Sequence, residues 1–174
     1  PSAEDVEGFV ADPDPLAFAR LVDRLLADPR FGERWGRYWL DIARYADSKG
    51  YVFEEERRYA FSYTYRDWVI RAFNQNLPYD QFITWQTAGD LMPEPTRDQM
   101  IATAFNRLAQ QSNEAGSNPE EFRIEQVADR VHTNGTAFLG LTLECARCHD
   151  HKFDPLTMKD YYSMAAFLNN IDEL

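Results

Sequence analysis

Apolar residues recur three and four positions apart along most of the chain, and no stretch alternates apolar with polar residues for long. That pattern predicts helices and no sheet. Ser2 with Asp5 reads as a capping box opening a short helix through about Val10. Asp14-Pro15 predicts the next start, with Asp14 as N-cap and Pro15 in the first turn, and Phe18, Leu21, Val22 and Leu25 form its apolar stripe until Pro29 stops it. A third helix is expected from about Gly32 to Ala46, burying Trp35, Trp39 and Ile42.

Asp47 to Ser62 has no clean period and reads as loop. Helices then follow over about Tyr63 to Phe73, with Trp68, Val69 and Ala72 inward, and over about Tyr79 to Ala88, broken by Met92 to Pro95. Thr96 with Gln99 caps a further helix running to about Leu108, and Gln110 to Asn118 is a polar loop. Pro119-Glu120-Glu121 places acids at the start of a long helix carrying Phe122, Ile124, Val127 and Val131. It either breaks at Asn134-Gly135 or continues to about Thr142. Cys145 to Pro155 is compact and irregular, and a last helix covers about Thr157 to Asn169. The expected fold is mainly α: a single irregular helical domain over residues 1–174, without repeats, ending in a C-terminal segment that carries both cysteines.

With 174 residues, 44% of them hydrophobic, the chain can bury a real core. Its net charge of −11 argues against nucleic acid or an anionic membrane as the main partner. No run approaches the roughly 20 apolar residues of a membrane span. The opening residues, Pro1-Ser2-Ala3-Glu4-Asp5, lack the basic and apolar regions of a secretion signal. The expectation is a mature protein or a piece of a larger multidomain one.

The chemistry concentrates in Cys145-Ala146-Arg147-Cys148-His149-Asp150-His151-Lys152, which holds both cysteines and two of the three histidines. The C-x-x-C-H spacing is the attachment pattern of haem c. Two thiols on one short turn reach the vinyl groups of neighbouring pyrroles, and the adjacent His149 swings under the iron as the proximal ligand. Three other readings of the same residues stay open. One is a thioredoxin-like redox pair, which usually follows a strand. Another is a zinc site completed by His149 or His151, the only other histidine being His132. The third is a local disulfide, strained at this spacing. Neither a phosphate-binding glycine loop nor a Ser-His-Asp signature is present.

Several stretches carry a resemblance. They are Arg30-Phe31-Gly32-Glu33-Arg34-Trp35, Trp39-Leu40-Asp41-Ile42-Ala43-Arg44-Tyr45-Ala46-Asp47-Ser48, Tyr65-Arg66-Asp67-Trp68-Val69-Ile70 and Pro78-Tyr79-Asp80-Gln81-Phe82. Phe138-Leu139-Gly140-Leu141-Thr142 then leads into Cys145 to Pro155. Over nearly its whole length the chain resembles the cytochrome-like domain family described from planctomycetes, a domain of unknown function. The resemblance implies a domain of a larger secreted or periplasmic protein, with other cytochrome-like or uncharacterised domains beside it.

The second axial position decides what such a haem does. An open or externally filled position is one option, and Met158, following Pro155, is another. His132 lies 13 residues before Cys145. On a straight helix that is about 20 Å, too far, so only a break at Asn134-Gly135 brings it back. Met92 and Met100 are weaker candidates. His151 is expected to bond a propionate, bind a second metal or contact another haem, or simply to be structural. Arg147 is the first choice among the arginines for a propionate, although Arg44, Arg66, Arg123, Arg130 and Arg147 can instead pair with the acids Glu114, Glu120, Glu121, Glu125 and Asp129. Those acids otherwise read as a solvated, self-repelling face. Asp150, Lys152, Asp154 and Pro155 read as a turn locking the segment to the last helix. The expected function is electron transfer through one haem c to a redox partner protein or an adjacent domain, outside the cytoplasm, where c-type maturation occurs. The alternatives are a haem-dependent oxidoreductase with an open sixth position and a zinc-binding structural module.

Overall fold

The computed structural model describes residues 1–48, 59–110, 116 and 118–171, and among them it contains eight α-helices and no strand. The helices are α1 (Ala3–Ala11), α2 (Ala17–Leu26), α3 (Arg30–Ile42), α4 (Tyr63–Asn74), α5 (Tyr79–Ala88), α6 (Arg97–Ala102), α7 (Pro119–Asn134) and α8 (Met158–Leu168). The expected capping boxes of α1 (Ser2 with Asp5) and α6 (Thr96 with Gln99) form, and Thr157 with Asp160 adds one on α8. Each satisfies amide groups that the first turn leaves without partners. The loops expected over Asp47 to Ser62 and Gln110 to Asn118, with Tyr51 and Glu114, fall largely outside the described residues.

Three boundaries differ from the sequence expectation, the first being α3, which ends at Ile42 and not at about Ala46 because Arg44 takes the left-handed conformation (φ 60°) that terminates a helix. Asp14 does not cap α2 at Pro15; its carboxylate accepts from the Leu16 amide at 2.8 Å and from Arg20, and the helix begins at Ala17. The segment expected to be helical as far as Leu108 shortens to α6 followed by a 3-10 turn, Thr103–Arg107. On α2 the apolar stripe packs against α1, and Phe18 and Leu25 stay exposed.

The main core forms where α3 lies along α4. The buried face of α3 is Gly32, Gly36 and Trp39, continued by Ala43, whereas Trp35 and Ile42, expected inside, are 49% and 44% exposed. The reason is close approach. A Cβ on Gly32 would lie 2.4 Å from the Ile70 carbonyl oxygen, so only glycine permits this spacing. The contact is pinned by the Gly32 amide donating to Asn74 Oδ1 at 2.8 Å and by Asn74 Nδ2 donating to the Pro29 carbonyl at 2.9 Å.

Trp39, Tyr65, Trp68, Phe82 and Phe105 fill the interior, with Trp68 stacked on Phe82 at 5.4 Å between centroids. Buried Gln86 of α5 completes the polar handles of two of them. Its Oε1 accepts from Trp39 Nε1 at 2.9 Å and from the Tyr65 hydroxyl at 2.6 Å, while its Nε2 donates to the Phe82 carbonyl at 3.1 Å.

A second, smaller core joins Val131 of α7, Leu143, Ala146 and Tyr161 of α8. The long helix takes the broken alternative. It ends at Asn134 and passes through a single π-helical turn, Gly135–Leu139. The chain then reverses at Gly140, whose φ of 64° lies in the left-handed region that suits glycine. That reversal carries the cysteine segment back against α7 and α8.

Candidate functional site

Leu143–Arg147 forms a 3-10 turn capped by Cys148. In this geometry side chains three apart eclipse one another. Leu143 and Ala146 therefore share the inner face and are buried against α7 and α8. Cys145 and Cys148 share the outer face, and both are free thiols exposed to solvent. The Cys145 carbonyl accepts from the amides of Cys148 and His149, both at 3.4 Å, which winds the backbone into one tight loop around the pair.

His149 follows on the exposed side, with Nδ1 2.8 Å from the Asp150 carbonyl oxygen. A carbonyl only accepts, so Nδ1 carries the proton and Nε2 presents its lone pair outward. His151 has the opposite tautomer. Its Nδ1 accepts from the amides of Asp154 at 2.9 Å and Phe153 at 3.3 Å, and its own amide donates to the Leu156 carbonyl at 2.8 Å. The Asp154 carboxylate 3.2 Å from that nitrogen is a neighbour and not an ion-pair partner, because a ring nitrogen accepting amide hydrogens has no proton to share. His151 thus organises the turn and is nearly buried, keeping only Nε2 for any further contact.

The turn is locked to its surroundings from three sides. Asp150 Oδ1 accepts from the Met158 amide at 2.8 Å, at the first residue of α8. The Tyr162 hydroxyl donates to the Arg147 carbonyl at 2.9 Å. Arg147 itself turns to α7, its Nη1 and Nη2 donating to the two carboxylate oxygens of Glu125 at 2.9 and 2.5 Å. This hydrogen bonding raises the Arg147 guanidinium above its usual value and holds the Glu125 carboxyl below the usual range. Arg147 is therefore engaged by an acid of the chain itself.

The acids of α7 are largely paired and not a self-repelling face. Glu120 binds Arg123, Glu125 binds Arg147, and Asp129 binds Arg44. His132 is brought to the motif by the break after Asn134, its Nδ1 3.8 Å from Glu144 Oε2, one residue before Cys145. Met158, partly exposed, lies at the α8 end facing Asp150. Among the described residues no three His, Cys, Asp or Glu side chains cluster as a ready metal cage. Sequence reading missed the inward Leu143–Ala146 pair and the Tyr162 tether. The first was legible in the i, i+3 spacing, but nothing in the pattern marked the second.

The described residues define an all-helical protein presenting a dithiol turn and an exposed imidazole from one face. The family described as PSCyt2, protein of unknown function (DUF1549), matches residues 1–173, and the chain belongs to that family. No curated protein and no solved structure matches the chain.

Proposed function

We propose that this chain is a c-type cytochrome domain that transfers electrons through one covalently bound haem. The observation that carries the reading is the 3-10 turn that sets Cys145 and Cys148 side by side on an exposed face, with His149 next in the chain. The donor set fits the group. Both thiols are free, and Cys145 and Cys148 would hold the macrocycle through one thioether bond each. His149 offers Nε2 for the iron, with Nδ1–H held by a backbone carbonyl, the usual support for a metal-binding imidazole. Leu139 and Phe153, on the flanking segments, are exposed apolar side chains of the kind a macrocycle covers. The haem would supply one-electron iron chemistry, its potential set by axial ligand and burial.

The chain's own part is positional. Leu143 and Ala146 fix the height of the turn, Asp150 ties it to α8, and the Arg147–Glu125 pair ties it to α7. A redox partner protein or an adjoining domain would exchange the electron. The site of attachment would be periplasmic or otherwise outside the cytoplasm.

Expression with c-type maturation machinery, followed by intact mass measurement and visible spectroscopy, tests the proposal. One added haem mass and a sharp reduced α-band are expected, with covalent attachment lost in the Cys145→Ala, Cys148→Ala double variant. A bare polypeptide mass, or stoichiometric zinc in a colourless protein, overturns it. Spin state and cyanide binding then report whether a side chain such as Met158 or His132 closes the sixth position or leaves it open.

A further inference from the structure

Two seams run along α3 at the same spacing. Gly32, Gly36, Trp39 and Ala43 are four, three and four residues apart, and all are buried. Phe31, Trp35, Tyr38 and Ile42 repeat that spacing one residue earlier, about a quarter turn round the helix. The first seam is taken by α4 and the main core. On the second, Trp35, Tyr38 and Ile42 are each close to half exposed. The described chain leaving α3 turns elsewhere: Arg44 bonds Asp129 of α7, and the Tyr45 ring lies 6.4 Å from Tyr65 of α4.

The outer seam is continuous. Phe31 and Trp35 have ring centroids 6.3 Å apart, and Trp35 and Tyr38 5.6 Å apart. An apolar row with four- and three-residue steps is the surface that a second helix fits at a shallow angle. The charges beside it select that helix. Arg34 and Asp41 stand on the solvent flank of the seam, seven residues apart and so on nearly one line along the helix. Neither has an ion-pair partner among the described residues; the Arg34 guanidinium lies over the Tyr38 ring, 5.1 Å from its centroid. Arg30 is held by Asp28, and Arg37 lies further round the helix. The flank is thus positive in the first half of α3 and negative in its last turn. A copy of α3 running the other way presents the same two charges in reverse order.

We infer that the outer seam of α3 is a contact between two copies of this chain, packed antiparallel about a two-fold axis. Trp35 then faces the partner's Tyr38, Phe31 faces the partner's Ile42, and Arg34 reaches the partner's Asp41. Each contact is made twice, as a closed isologous pair requires. A single helix crossing falls at the small end of interfaces, below about 1,200 Å². The net charge of −11 on each copy also opposes association until salt screens it. The dimer is therefore weak and reversible. It is independent of the cysteine turn and of haem.

Sedimentation velocity of the whole chain, from about 10 μM to about 1 mM in about 0.15 M salt, tests this. A reversible monomer–dimer equilibrium is expected, with a Kd on the order of 100 μM. Trp35→Ala, Arg34→Asp and Asp41→Arg change exposed positions, and each should weaken the dimer roughly tenfold while the circular dichroism spectrum stays native. The two charge variants supply the decisive arm. Arg34→Asp alone sets acid against acid, and Asp41→Arg alone sets arginine against arginine. An equimolar mixture of the two restores both ion pairs, so the mixture should associate about as tightly as the parent. A chain that stays monomeric at about 1 mM overturns the inference and leaves the seam to a partner of another sequence. It fails equally if Trp35→Ala dimerises within about twofold of the parent, or if the mixture forms no more dimer than either charge variant alone.

Discussion

Arg147, lying between the two cysteines, grips both carboxylate oxygens of Glu125 on α7, at 2.9 and 2.5 Å. The pair joins the dithiol turn to a helix that begins at Pro119. Its electrostatic sign is fixed by the lowered Glu125 carboxyl. A carboxyl whose folded value is depressed contributes stability above its unfolded value of about 4.3, and the contribution disappears as pH falls through the folded value. Both side chains are partly exposed, so solvent screening keeps the effect small. Glu125→Gln should lower Tm at pH 7 by less than about 3 °C and should flatten the fall in Tm between pH 6 and pH 3. Thermal unfolding followed by circular dichroism across that range checks both, and an unchanged acid slope would show that the pair contributes nothing.

Asp150 couples the turn to α8 through a single bond to the Met158 amide, at 2.8 Å. Thr157 already caps that helix, so Asp150 satisfies a second of its free amides. Asp150→Ala should cost about 1 kcal/mol, in the range of a lost N-cap contact, while Asp150→Asn should recover most of it. Urea denaturation measures the difference. Local hydrogen exchange at the start of α8 should rise in the alanine variant before any change appears in α3 or α4.

Much of this architecture was legible in the chain because its signals are local. The expected capping boxes at Ser2 and Thr96 depend on residues three apart, and α5 begins and ends where its pattern predicts. The C-x-x-C-H run marked the candidate site for the same reason. What stayed hidden depends on partners distant in sequence. Trp35 looked like core because it is large and apolar, but α3 buries its glycine face, a choice made by Ile70 and Asn74 some forty residues on. The α7 acids looked unpaired because Arg44 and Arg147, which neutralise Asp129 and Glu125, come from other elements.

The glycine face gives a sharp test. Gly32→Ala gains intrinsic helix propensity of about 1 kcal/mol, since alanine favours helix interiors. It also places a methyl group 2.4 Å from the Ile70 carbonyl and 2.7 Å from the Asn74 side chain. Backbone cannot yield cheaply, so the steric term wins and a net loss of about 1–3 kcal/mol is expected. Gly8, with open space around it, provides the matched control: Gly8→Ala should be neutral or stabilising. Equal effects in chemical denaturation at the two positions would mean that α3 and α4 do not approach this closely.

Tyr65 predicts how the fold fails in alkali. Its hydroxyl lies in the interior, donating to Gln86 Oε1 at 2.6 Å, and burial pushes the phenol well above its ordinary value even though the Trp39 hydrogen bond pulls the other way. A group whose folded value is raised contributes fully below its unfolded value, near 10 for tyrosine, and loses that contribution as pH climbs towards the folded value. Stability should therefore hold to about pH 10 and fall steeply above it, with part of the tyrosinate absorbance appearing only as the chain unfolds. Tyr65→Phe removes the ionisable group at a cost of about 1 kcal/mol at neutral pH and should flatten the alkaline slope, leaving the contribution of Tyr161, which burial also raises. Gln86→Leu separates the two effects. It deprives Trp39 and Tyr65 of their shared acceptor, should cost about 1–3 kcal/mol at pH 7, and leaves a tyrosine that still resists ionisation. A Tyr65→Phe variant with the alkaline slope of the parent would place the titrating groups elsewhere.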